Sequence, residues 1–68
     1  MKYLVVYEKA PDNWAAYVPD LPGCIAAGDT WEEVESLIRE AMVLYVEALK
    51  EQNQPIPQPQ AFANLVEV

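Results

Sequence analysis

The sequence predicts a two-layer α+β domain in the order β-β-β-α-β, with one long helix lying on one face of a small antiparallel sheet. Three observations carry this. Short runs of β-branched and aromatic residues alternate with turn clusters over the first 28 residues. One helical pattern then opens on a capping signal. A proline-spaced connector leads to a last apolar run. A chain of 68 residues holds one domain, spanning residues 1–68.

Lys2–Glu8 reads Lys-Tyr-Leu-Val-Val-Tyr-Glu. Both alternating sets, Tyr3/Val5/Tyr7 and Leu4/Val6, are apolar, so this strand is expected to be covered at least partly on both sides. Ala10-Pro11-Asp12-Asn13 is a turn cluster, and Trp14–Val18 returns as the second strand of a hairpin. Pro19 and Pro22 bracket Asp20-Leu21, and each proline lacks an N–H and holds its predecessor out of helical dihedrals. Gly23 supplies a positive φ for a sharp turn. Cys24–Gly28 reads as the third strand. Thr30-Trp31-Glu32-Glu33 is a Thr-x-x-Glu capping box, and Glu32, Glu33 and Glu35 suit the positive end of the helix dipole.

Trp31, Val34, Ile38, Ala41, Met42, Tyr45 and Leu49 recur at helical spacing and predict one buried stripe, widened by Leu37 and Ala48. Glu35 and Arg39 form an i,i+4 pair on the outer face. The helix is expected to fray near Gln52-Asn53 and stop before Pro55. Val43, Leu44 and Val46 fall off the stripe, so the C-terminal half is apolar around much of its circumference; these three are the candidate oligomer-interface residues. Pro55-Ile56-Pro57-Gln58-Pro59 predicts a stiff extended connector. Ala61–Val68 is expected to form a fourth strand at a sheet edge or beside the first.

Composition excludes several functions. There is no His and one Cys, so neither a Cys/His zinc site nor a His-dependent triad can form, and no disulfide framework exists. No Gly-rich phosphate loop is present, and no cofactor or catalytic residue is expected. Asp12, Asp20 and Asp29 could gather a divalent cation, although aspartate in turns is ordinary turn chemistry; a metal-dependent nuclease is the weakest reading. Cys24 has no basic neighbour in sequence to activate it and reads as a packing residue. The four basic residues, Lys2, Lys9, Arg39 and Lys50, make no stripe. With a net charge of −7 the chain does not suit direct contact with nucleic acid. Acidity suits either solubility or a basic protein partner. No signal peptide or membrane span is read, so a cytoplasmic protein is expected.

The string Tyr17-Val18-Pro19-Asp20-Leu21-Pro22-Gly23-Cys24, followed by Gly28-Asp29-Thr30 and Glu33, resembles the HicB antitoxin family. The opening strand, the Glu-rich helix start and the Ile56-Pro57 connector extend the resemblance over essentially the whole chain. It implies a partial RNase H-like fold without that fold's metal-binding carboxylates. It also implies an antitoxin that neutralises a small basic HicA-like toxin ribonuclease, an mRNA-cleaving enzyme, by direct occlusion. Many HicB proteins carry a C-terminal DNA-binding domain. These 68 residues hold no such segment, so operator binding is not carried over.

The expected partner contacts are Trp14 and Tyr17, the rigid loop Asp20-Leu21-Pro22-Gly23, and the acidic supporters Asp29 and Glu32. The competing reading of that loop is a hard turn that fixes strand register. The competing function is a small homo-oligomeric scaffold, a dimer or tetramer with no toxin. Its motive is the wide apolar helix and a sheet face that one helix leaves uncovered.

Overall fold

The computed structural model describes all 68 residues. Strands β1 (Val6–Lys9), β2 (Trp14–Tyr17) and β3 (Ile25–Gly28) form an antiparallel meander in the order β1-β2-β3, followed by helix α1 (Trp31–Glu51). Register is set at the first turn, where the Ala10 N–H donates to the Asn13 carbonyl at 2.8 Å. Lys9 then faces Trp14, and Val6 faces Tyr17. On the other side Tyr17 faces Ile25, and Ala16 faces Ala26.

Alternation sends Trp14, Ala16 and Val18 to the helix side of the sheet and Ala15 and Tyr17 to the other side. The buried core is small: Ala16, Val18, Leu21, Cys24, Val34 and Ile38. Tyr3, Val5, Tyr7, Ala41, Met42 and Tyr45 pack around it half-buried. The helix lies over β3 and β2 and makes no backbone approach to β1.

Both helix ends obey local chemistry. Thr30 is extended (φ −127°, ψ 157°), and its hydroxyl accepts from the Glu33 N–H at 3.1 Å. Only this half of the capping box forms. The Glu33 carboxylate instead stands over Gly28, where a Cβ would lie 2.7 Å from Oε1. At the other end the Asn53 N–H donates to the Lys50 carbonyl and the Gln54 N–H to Leu49. Asn53 has φ +54°. These paired bonds around a left-handed residue are a Schellman stop, with asparagine in the position glycine usually takes.

Three expectations are corrected. The fourth strand over Ala61–Val68 does not form within the chain: residues 55–68 join no sheet. Pro55, Pro57 and Pro59 cannot donate to a ladder, and the residues after them reach no strand edge of their own chain. Trp31, at the first helical position, lies with its ring centroid 5.4 Å from that of Tyr7 and tilted 43° to it, yet remains exposed. Leu37 and Ala48 are exposed rather than part of the buried stripe.

Candidate protein-binding surface

The chain folds the loop between β2 and β3, residues 18–24, into two successive tight turns. The Leu21 N–H donates to the Val18 carbonyl, and the Cys24 N–H donates to the Leu21 carbonyl, both at 3.0 Å. The Val18 N–H then closes the loop on the Cys24 carbonyl at 3.2 Å. Gly23 sits at φ +83°, with open space where a Cβ would stand, so backbone conformation rather than crowding demands glycine. The Tyr45 hydroxyl, reaching from α1, donates to the Pro22 carbonyl at 2.9 Å and ties the loop to the helix.

This geometry divides the expected contact residues. Leu21 points inward and is fully buried under Val34 and Ile38, so it is a core residue and not a contact. Bracketed by prolines, it looked like a loop tip; the two stacked turns fold it back under the helix. Asp20 is engaged: its Oδ2 accepts from the backbone N–H groups of Gln60 at 2.8 Å and Ala61 at 2.9 Å. Pro22 and Gly23 are exposed. The loop is therefore a hard turn with an exposed tip at Pro22-Gly23.

Trp14 is half-buried on the helix side, with the Lys9 ammonium 5.8 Å from its ring centroid. Tyr17 projects from the opposite side, the uncovered sheet face. There it aligns with Val6 on one neighbour and Ile25 on the other, making an apolar row across all three strands. Tyr17 is 41% exposed and Ile25 69%. Ile25 was not among the expected contacts. Its alternation with buried Cys24 and half-buried Ala26 is the signal that places it outside. Asp29 and Glu32 are exposed at the helix start, at the other end of the sheet from the Pro22 tip. The expected residues thus fall into an open-face group, a loop tip and a helix-end acidic group, not one cluster.

On α1, Val43 and Leu44 are exposed and Val46 is half-buried. Val43 and Leu44 line a shallow hollow with Arg39 and Glu40. A second hollow, about 420 Å³, opens between β1 and the helix, with Tyr3, Val5, Tyr7, Ile38 and Met42 in its wall. Glu35 and Arg39 form an ion pair beside it. Burial and the Glu35 carboxylate push the Tyr7 phenol above its ordinary value.

Asp12, Asp20 and Asp29 are not gathered, and no group of three or more acidic, His or Cys side chains could hold a metal ion. Cys24 is buried, and burial pushes its thiol up, away from reactivity. No helix is long and apolar enough to cross a membrane.

Residues 3–68 match the family model described as HicB-like antitoxin of bacterial toxin–antitoxin systems. A UPF0150 protein of Thermoplasma acidophilum is 42% identical over 62 residues, covering 90% of each chain. The protein named antitoxin HicB 2 of Photorhabdus laumondii is 34% identical over 87% of this chain. The chain spans 42% of that antitoxin's length, and 43% of a similar protein of Haemophilus phage HP1. Among solved structures, a chain of the HicA3 and HicB3 toxin–antitoxin complex superimposes with a TM-score of 0.71 at 30% identity. That match covers 87% of this chain and 70% of the other. With the family model spanning nearly every residue and the three-strand, one-helix fold shared, the chain belongs to the HicB-like antitoxin family.

Proposed function

We propose that the chain neutralises a small basic HicA-type mRNA-cleaving ribonuclease by direct occlusion, in the cytoplasm and with no catalysis of its own. The observation that carries this is the fold's likeness to a chain of a solved toxin–antitoxin complex. The net charge of −7 supports it, since an acidic cover and an RNA compete for the same positive surface. The β-β-β-α order fits the start of an RNase H-like fold, used here as a binding scaffold. The contact surface we assign is the open sheet face around Tyr17 and Ile25 with the Pro22-Gly23 tip. Trp14, on the helix side, and Asp20, Asp29 and Glu32 stand outside that patch and are assigned supporting contacts.

The test is co-expression and pull-down with a HicA-type ribonuclease encoded in the same genome, followed by titration of its RNA cleavage. Cleavage falling to background at stoichiometric protein is the expected result. Full cleavage in the presence of folded excess protein refutes the proposal. Within a working pair, Ile25→Glu and Tyr17→Glu weaken inhibition, and raising salt slows association.

A second reading is a homo-oligomeric scaffold that joins copies through α1. The exposure of Val43 and Leu44 beside each other favours it. It expects Leu44→Glu to lower the particle mass measured by light scattering.

A further inference from the structure

Residues 62–68 are an unpaired strand sequence held out in solvent. Phe62 is 87% exposed and Leu65 100%. Val66 and Val68 are exposed too, and Glu67 is the segment's only charged side chain. A chain of this size does not ordinarily leave so much contiguous apolar surface open. The segment's root, by contrast, is firmly fixed. The Tyr3 hydroxyl donates to the Pro57 carbonyl at 2.5 Å, and Asp20 then takes the N–H groups of Gln60 and Ala61.

The same molecule carries a matching vacancy. β1 ends the strand order, so its outer edge has unpaired N–H and C=O groups, which template the addition of another strand. The helix backbone approaches β2 and β3 and not β1. That offset leaves the apolar hollow walled by Tyr3, Val5, Tyr7, Ile38 and Met42 beside this edge. A strand added there alternates its side chains, one set into the hollow and the other alongside the open-face row at Val6. Residues 62–68 have that pattern: Phe62, Val66 and Val68 share one face and Leu65 lies on the other. Lys2 and Lys9 flank the edge, so its ends carry charge of the sign opposite to Glu67.

The path of the connector decides whose edge is filled. It touches Tyr3 at Pro57 and is clasped by the β2–β3 loop three residues later, so it is travelling away from its own β1 as it leaves. We propose that the occupant is a second copy: the tail of each chain lies on the β1 edge of the other, a reciprocal exchange closed by a two-fold axis. The self-complementarity of tail and edge argues for this over a basic partner, because the tail offers such a partner almost no charge. The proposal does not depend on the toxin reading, and its test uses no toxin.

Light scattering on the intact chain at micromolar concentration is expected to give twice the 7.7 kDa chain mass. Val66→Asp is expected to halve that mass with the far-ultraviolet circular dichroism unchanged, whereas Leu44→Glu leaves it unaltered. Independently of any variant, ¹⁵N-labelled and ¹³C-labelled chains unfolded and refolded together are expected to show contacts between tail methyls of one chain and β1 of the other. A monomeric intact chain, tail contacts confined to one chain, or a dimer dissociated by Leu44→Glu but not by Val66→Asp would overturn it.

Discussion

Replacing Leu21 by alanine separates the two roles this position was offered, partner contact and core. The side chain has no exposure and touches the buried cluster of Ala16, Val18, Cys24, Val34 and Ile38. Leucine-to-alanine changes at such sites cost about 2–5 kcal/mol, the higher values where the surroundings cannot close on the cavity. Collapse is restricted here. The loop is fixed by three backbone hydrogen bonds on one side and by the Tyr45–Pro22 tie to the helix on the other. The upper half of the range therefore applies, about 3.5–5 kcal/mol. Domains hold roughly 0.05–0.15 kcal/mol per residue, or about 3–10 kcal/mol for a chain of this length. The change consumes a third or more of that total. Urea denaturation followed by tryptophan fluorescence measures it: the midpoint falls by 1 M or more at a slope of about 1–3 kcal/mol/M. A loss below about 1 kcal/mol, together with selective loss of partner binding, would refute the assignment of Leu21 to the core.

Three further outcomes follow from particular contacts. Asp20→Ala removes the shared acceptor of two N–H groups; allowing for solvent screening at a half-exposed carboxylate, about 1.4 kcal/mol is lost locally, and hydrogen exchange at Gln60 and Ala61 speeds up about tenfold with the core amides unaffected. Asn53→Gly keeps or raises stability, whereas Asn53→Ala lowers it by about 1 kcal/mol and the thermal midpoint by about 4–8 °C, because the Schellman stop requires φ +54° there. Burial raises the Cys24 thiol above 9.0, and burial followed by the Glu35 charge raises the Tyr7 phenol above 10.0. The folded state therefore holds these protons more tightly than the unfolded one. Their contribution is intact below pH 9 and is lost as pH rises through the folded values. Denaturation curves from pH 7 to 11 should show this decline, and Cys24→Ala should remove its lower part.

What could be read from the chain by itself is everything governed by neighbours a few residues apart. The turn at Pro11-Asp12-Asn13, the Thr30 cap, the stripe through Val34 and Ile38, and the helix stop before Pro55 depend on local dihedral preferences and side-chain periodicity. Each lies where the residues put it. The string from Tyr17 to Cys24 was enough to indicate the family. Its individual side chains were not legible in the same way. Leu21 and Asp20 are adjacent, yet one closes the core and the other clasps a backbone 40 residues on, because two stacked turns point them in different directions.

The tertiary structure alone decided three matters. It set the helix over β2 and β3, leaving the β1 edge and its hollow open. It aligned Val6, Tyr17 and Ile25 into one uncovered row, since register joins residues from three separate strands. And it left the apolar segment after Ala61 without a partner in its own chain, although its composition suits a strand. A strand exists only where an edge is within reach. Reach is fixed by how the preceding connector is anchored, at Tyr3 and Asp20, and not by the residues of the strand themselves.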